Sequence, residues 1–136
     1  MRRKASAIWT GTGKDGKGHL TSQTTVLNKT QYSANSRFAE GIGTNPEELI
    51  AAAHVGCFSM KLAFILAEAG FTADEIATEC FVTIDNGTIT KSELVLKAKI
   101  PGITKEKFDA CAQDAKANCP VSKALNTAIT LYASLV

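Results

Sequence analysis

No Cys-x-x-Cys pair occurs in this chain, although it has four cysteines. That leaves out the compact dithiol and zinc-finger motifs. Two histidines and four scattered cysteines lack the spacing of a metal-ligand set. Gly11-Thr12-Gly13 and Gly41-Ile42-Gly43 lack the third glycine and the Lys-Ser/Thr of phosphate-binding loops. An excess of one charge is missing too. Fifteen basic and 13 acidic residues are mixed along the chain, for a formal net charge of +2. No nucleic-acid footprint is expected from that balance. Met1-Arg2-Arg3-Lys4 is basic, but no apolar segment follows, so no signal peptide is expected. The longest apolar stretch, Leu49 to Leu66, is interrupted by His54 and Lys61, and reads as a buried helix rather than a membrane span. No repeat, linker or low-complexity segment breaks the chain.

What is present fits one domain over residues 1–136, with 45% apolar residues to build its core. With no export signal, the cysteines are expected to be reduced at rest, in the cytoplasm. Ala5 to Thr10 reads as a strand, Gly11 to Gly18 as a turn region, and His19 to Leu27 as the second strand of a hairpin. A further turn covers Asn28 to Ser33, with a short strand near Tyr32. Asn45, Pro46 and Glu48 mark a helix start, as N-cap, first helical residue and capping-box partner. Gly70 marks its stop. The helix from Pro46 to Ala69 would be about 36 Å long and would form the buried centre of the fold.

Ile76 to Ile84 and Ile89 to Ile100 read as strands joined at Asn86-Gly87. Thr104 caps a helix over Lys105 to Asn118, with Phe108, Cys111, Ala112 and Ala115 as its apolar stripe. Pro120 opens a short helix to about Asn126, and Thr127 to Leu135 alternates as a last strand. Hairpin, helix, hairpin, helices and strand make an α+β fold with largely antiparallel sheets around a long central helix.

Two thiols carry the chemistry. Cys57 has polar residues at helical spacing, His54 three positions before it and Lys61 four after it. Its mid-helix position gives it no help from the helix dipole. A thiolate there needs a cation, from Lys61 or from an arginine elsewhere, to lower a pKa near 8.5. Cys119, in Asn118-Cys119-Pro120-Val121-Ser122, precedes a helix start, where a thiolate is favoured. A nucleophilic thiol and a second, resolving thiol suggest redox chemistry. Plain core packing remains open for both, and is the expectation for Cys80 and Cys111. His54 fits a hydrogen-bonded packing residue better than a general base, because no Asn or Asp is placed to orient it.

The run Thr44-Asn45-Pro46-Glu47-Glu48-Leu49-Ile50-Ala51-Ala52-Ala53-His54, followed by Cys57-Phe58-Ser59-Met60, resembles the OsmC/Ohr family, and its OsmC branch in particular. Gly70-Phe71, Asn118-Cys119-Pro120-Val121-Ser122 and the closing strand extend the resemblance over essentially the whole chain. It implies an OsmC-like fold in an intertwined homodimer with two sites at the subunit interface. It also implies a thiol-dependent peroxidase that reduces organic hydroperoxides to alcohols, and hydrogen peroxide less well. On the family motifs Cys57 is the peroxidatic cysteine and Cys119 the resolving one, joined in an intrasubunit disulfide after Cys57 becomes a sulfenic acid. Arg37, in Asn35-Ser36-Arg37-Phe38, is the catalytic arginine, and Glu48 the carboxylate that orients it. No bound cofactor or metal is implied. The reductant is an external dithiol, by analogy a lipoyl-type one, and neither nucleic acid nor membrane is a partner.

Helix arithmetic adds an expectation. Glu48 and Cys57 are nine residues apart, so steps of about 100° place them on roughly opposite faces, about 13.5 Å apart along the axis. A second helix bringing its own Glu48 to that thiol would make the site dimeric. Ala51, Ala52, Ala53 and Gly56 permit close helix packing, and Ile42, Phe58, Met60 and Phe64 are candidate walls of an apolar pocket. Two other readings compete. One is a cysteine hydrolase built on Cys57 and His54, the other a non-catalytic redox sensor or small-ligand-binding dimer.

Overall fold

The computed structural model describes residues 1–38 and 41–136. The chain divides into two compact units, Met1–Leu49 and Ile50–Val136.

The first unit is a three-stranded antiparallel meander of β1 (Ala5–Thr10), β2 (Lys17–Ser22) and β3 (Thr30–Ser33), in the order β1-β2-β3. The second strand is shorter than its sequence pattern, because the chain turns at Thr25 and Lys29 with φ of 61° and 51°. Trp9 and Tyr32 flank Gly18, their ring centroids 5.3 Å apart. Any Cβ at Gly18 would meet the Ile8 carbonyl and both rings, so only glycine lets the two aromatics close over the middle strand. A short helix not signalled in the sequence, α1 (Ala34–Phe38), follows β3. Ser36 ties it down: its hydroxyl accepts from the Ser33 N–H at 2.8 Å and donates to the Thr44 carbonyl at 2.8 Å. Asn45 Nδ2 donates to the Ser36 carbonyl at 2.9 Å. The stretch entering the next helix is thereby fixed beside Arg37.

Helix α2 (Pro46–Glu68) begins in this unit and runs into the second. The Glu48 N–H donates to Asn45 Oδ1 at 2.8 Å, the expected N-cap. At the other end Gly70 adopts φ of 90°, the Phe71 N–H bonds the Leu66 carbonyl and the Gly70 N–H bonds the Ala67 carbonyl. That is a Schellman stop, which a left-handed glycine makes possible.

The second unit holds the sheet β4 (Glu75–Asp85), β5 (Thr88–Lys99) and β6 (Ala128–Leu135), with α3 (Lys105–Asn118) and α4 (Pro120–Ala124) between the last two strands. The pair β4–β5 is antiparallel and turns at Asn86-Gly87, both at positive φ. The pair β5–β6 is parallel, because the α3–α4 connection carries the chain back to the sheet edge in a crossover. His54, Phe58, Leu62 and Leu66, at four-residue spacing on α2, are buried. They share the core with Leu94, Leu96, Ala98, Phe108, Ala112, Ala115 and Cys119.

The expectation that α2 forms the buried centre of the fold holds for one of its faces only. Ala52, Ala53, Gly56, Met60, Ala63, Phe64 and Ala67 are exposed, and Phe64 keeps 65% of its surface in contact with solvent. The helix is long and apolar enough to cross a membrane, yet only 22% of its most apolar window is buried. One face packs into the second unit while the other is an uncovered apolar strip of small side chains with two large ones.

Candidate active site

Cys57 and Cys119 come together in the second unit, as free thiols within hydrogen-bonding reach of each other. Helix α2 carries Cys57 half-buried; the junction of α3 and α4 carries Cys119 fully buried. The Cys119 N–H closes α3 on the Ala115 carbonyl at 3.0 Å, and its sulfur caps α4 by accepting from the Ser122 N–H at 3.4 Å. Pro120 follows at the first helical position, where its missing N–H costs nothing. The cysteine preceding a proline-led helix is thus a capping residue, as its sequence setting implied.

The two sulfurs differ electrostatically. Burial pushes the Cys57 thiol up, and hydrogen bonding to Cys119 and that thiol's charge add to the rise; a Val121 backbone hydrogen bond and the Lys61 charge offset part of it. Burial also works to raise Cys119, but hydrogen bonds from the Ser122 hydroxyl, from Cys57 and from the Ser122 and Val121 backbone outweigh it, so Cys119 is lowered. Within this unit, then, the thiolate is better supported on Cys119, and the charge of Lys61 does not reverse the rise at Cys57.

His54 is fully buried behind this pair. Its Nδ1 lies 2.7 Å from Ser92 Oγ and its Nε2 lies 2.8 Å from Ser122 Oγ. Cys80 Sγ lies 3.2 Å from the same Ser92 hydroxyl. Both ring nitrogens are engaged by serines, which removes His54 as a base for Cys57 and with it the geometry a cysteine hydrolase needs. Burial lowers the pKa of His54, so the ring is neutral at pH 7. Cys111 is core, packed on the apolar stripe of α3 as its spacing implied.

Arg37 and its carboxylate lie in the first unit. Arg37 Nε donates to Glu47 Oε1 at 2.8 Å, and a terminal guanidinium nitrogen lies 2.8 Å from the same oxygen. The expectation that Glu48 orients Arg37 is therefore corrected to Glu47. Adjacent helical residues point about 100° apart. Glu47 turns inward, its side chain 8% exposed, whereas Glu48 is exposed and accepts from the Thr44 hydroxyl at 2.7 Å. The nine-residue argument from Glu48 to Cys57 lapses with this change. Glu47 Oε2 is buried without a hydrogen-bond partner among the described residues. Arg37 also borders a cavity of about 210 Å³ lined by Trp9, Tyr32, Ser33, Ala34 and Pro46. Of the four candidate pocket walls, Phe58 is wholly in the core, and Ile42, Met60 and Phe64 are exposed.

Glu47 was missed because two adjacent glutamates open the helix and nothing local ranks them; only the position of Arg37 does. Ser92 and Ser122 were missed because a serine in a strand or a short helix carries no periodic signal, although Ser122 closes the Cys119 motif.

A family profile described as OsmC-like protein matches residues 39–134. Peroxiredoxin OsmC of Escherichia coli (strain K12) is 46% identical over 135 residues, covering 96% of this chain and 94% of that one. The organic hydroperoxide resistance protein OhrB of Bacillus subtilis (strain 168) is 32% identical over 111 residues, covering 79% of this chain and 80% of that one. The crystal structure of the Bacillus subtilis OhrB superposes with a TM-score of 0.65 over 98% of each chain, at 27% identity. With two thiols in contact and matches of this extent, the chain belongs to the OsmC/Ohr family of cysteine-based peroxidases.

Proposed function

We propose that this protein reduces organic hydroperoxides, and hydrogen peroxide less well, to alcohol or water, with Cys57 as the attacking thiol and Cys119 as the resolving one. The observation that carries the reading is the contact between these two sulfurs, which come from opposite ends of the second unit's sequence. The names of the relatives, a peroxiredoxin and an organic hydroperoxide resistance protein, support the substrate class.

Cys57 thiolate attacks the distal oxygen of the hydroperoxide. The O–O bond breaks, the alkoxide leaves as alcohol after taking a proton, and Cys57 becomes a sulfenic acid. Cys119 then attacks that sulfur, hydroxide leaves as water, and an intrasubunit disulfide forms. Buried Cys119 meets the sulfenic acid before a second peroxide does, which protects Cys57 from over-oxidation. A cytoplasmic dithiol of the lipoyl class reduces the disulfide, two electrons restoring two thiols.

A thiolate on Cys57 needs a cation beyond Lys61, because burial and Cys119 hold its pKa up. We assign that role to Arg37. Its planar fork stabilises the thiolate and hydrogen-bonds the peroxide oxygens, while Glu47 holds its orientation. The aromatic cavity beside Arg37 suits the hydrocarbon part of an organic hydroperoxide.

The working form is assigned as a homodimer. The exposed strip of α2 is apolar and rich in alanine and glycine, a surface that a second copy of the same helix covers by close packing.

Steady-state turnover with cumene hydroperoxide and dihydrolipoamide tests the reading. The expected result is many turnovers per chain, lost on replacing Cys57 by Ser. A single oxidation without turnover would favour a redox sensor, and no consumption of hydroperoxide would remove both readings.

A further inference from the structure

We propose that neutral His54 is a positioning residue for disulfide formation: through Ser122 it fixes the direction of a buried hydrogen-bond chain whose donors end on the Cys119 sulfur. The inference rests on the peroxidase reading above, because it concerns that reading's second step.

The chain runs through five side chains of the second unit in the order Cys80, Ser92, His54, Ser122, Cys119. Its links are 3.2 Å from Cys80 Sγ to Ser92 Oγ, 2.7 Å from Ser92 Oγ to His54 Nδ1 and 2.8 Å from His54 Nε2 to Ser122 Oγ. The last link is the Ser122 hydroxyl on Cys119, in addition to the Ser122 N–H at 3.4 Å. His54 and Ser92 are 0% exposed, so solvent supplies no alternative partner.

A neutral imidazole has one donor and one acceptor nitrogen, and each hydroxyl has one hydrogen to give. The links therefore cannot be set independently. If Nε2 carries the hydrogen, it donates to Ser122, whose hydroxyl hydrogen is then free to point at Cys119. Nδ1 in turn accepts from Ser92, and Ser92 accepts from the Cys80 thiol. Every hydrogen is used, and the Cys119 sulfur at the end accepts from both the hydroxyl and the N–H of Ser122, the arrangement that favours its thiolate. If Nδ1 carries the hydrogen, the whole order reverses. The Ser122 hydroxyl then donates to Nε2, and Cys119 must supply a thiol hydrogen of its own. The tautomer of one buried ring is thus linked to whether the resolving sulfur is ready to attack.

The surroundings keep the ring itself out of the proton balance. Burial lowers its pKa. The groups packed around the chain are Cys57 and Lys61 on α2, Cys80 on β4, and Ser92 and Glu93 on β5; besides the two serines only Cys80 Sγ reaches the ring among the described residues, 4.0 Å from Nδ1, and no carboxylate bonds it to favour an imidazolium. In the step itself the Cys119 thiolate attacks the Cys57 sulfenic sulfur. The S–S bond forms, the S–O bond breaks, and the departing hydroxide takes up the proton that the Cys119 thiol had released to solvent. His54 gains and loses none.

Two measurements on the full-length protein test this. In the first, ring ¹⁵N–¹H correlations of reduced wild type are assigned by comparison with His19→Gln, since there are two histidines. Above the pH midpoint for alkylation of Cys119, His54 is expected as the neutral Nε2–H tautomer. The Nδ1–H form or an imidazolium there overturns the proposal. In the second, Cys119 alkylation by iodoacetamide is followed against pH by peptide mass mapping, together with disulfide formation after one equivalent of cumene hydroperoxide. His54→Leu should move the alkylation midpoint up by about one unit and slow disulfide formation about tenfold. His54→Gln, which keeps an N–H near the Nε2 position, should recover most of both. A folded His54→Leu protein with wild-type midpoint and rate overturns the proposal, and if that variant does not fold, the tautomer decides. Should wild type form no Cys57–Cys119 disulfide at all, the peroxidase reading fails instead.

Discussion

The two units hold different kinds of group. The first has the guanidinium and carboxylate, Arg37 and Glu47, beside an aromatic cavity, and no sulfur of interest. The second has Cys57 and Cys119, with neutral donors from Ser122 and Val121 beside them and Lys61 as a weak charge. Sulfur in a setting of neutral hydrogen bonds favours a thiolate on Cys119, the position proposed as resolving. The proposed attack by Cys57 needs a cation beyond Lys61, the role proposed for Arg37. The lesson is that the groups proposed for catalysis are spread over both units, so the dimer proposed for the exposed strip of α2 and the proposed chemistry are tested together.

The sharpest way to break this division is at the sulfurs. Replacing Cys57 by Ser should abolish hydroperoxide consumption, by about 10³-fold or more, since it removes the nucleophile; cumene hydroperoxide loss measured directly reads this. Replacing Cys119 by Ser should leave one rapid oxidation of Cys57 but end turnover with dithiol. Mass spectrometry should then find Cys57 as sulfenic and sulfinic acid.

The charged unit comes next. Glu47→Gln should lower kcat/KM by about 10-fold to 100-fold, as expected for loss of an orienting charged hydrogen bond of about 1.5–3 kcal/mol. Glu48→Gln should change it less than about twofold. Equal losses in the two variants would return the orienting role to the pair. Arg37→Lys tests the fork: it keeps the charge and gives up the planar pair of donors, so activity should fall although the cation remains.

A smaller effect concerns the strip. Phe64→Glu places a charge on the exposed apolar face of α2 without touching the core. Sedimentation should show a shift from dimer to monomer, with hydroperoxide turnover falling in step. A fully active monomer would separate the chemistry from the assembly.

The smallest effect is on acid stability. His54 is neutral in the fold and its pKa is lowered from 6.5. Below that value the unfolded chain binds a proton that the folded one does not, so stability must fall as pH falls. The slope approaches about 1.4 kcal/mol per pH unit until the folded value is reached. His54→Gln should flatten this limb in urea titrations between pH 6.5 and 5.

Much of this was legible in the residues. Caps and breakers fixed α2, since Asn45, Pro46 and Gly70 act locally; Asn45 and Gly70 make the bonds their types predict, and Pro46 sits at the first helical residue. The β4–β5 hairpin followed from Asn86-Gly87 for the same reason. The two cysteines were visible through their settings and through resemblance, and the fold brings them within hydrogen-bonding reach of each other. What escaped depends on the third dimension. Helix α1 has five residues and is held by Ser36 bonds to Ser33 and Thr44, which no periodicity records. The sequence placed α2 at the buried centre of the fold, but only packing decides which of its faces is covered. Glu47 and Glu48 are chemically identical neighbours, and the choice between them is a matter of about 100° of helical rotation. The serines of the His54 chain come from β5 and α4, and only the folded sheet brings them to one ring.

The central claim is that Cys57 and Cys119 form one redox pair, and peptide mapping without reductant after a single equivalent of cumene hydroperoxide tests it most directly. The account predicts one Cys57–Cys119 disulfide per chain and one equivalent of cumyl alcohol, with Cys80 and Cys111 still as thiols. Recovery of unreacted hydroperoxide with both Cys57 and Cys119 free, or a disulfide that joins either of them to another cysteine instead, would contradict it.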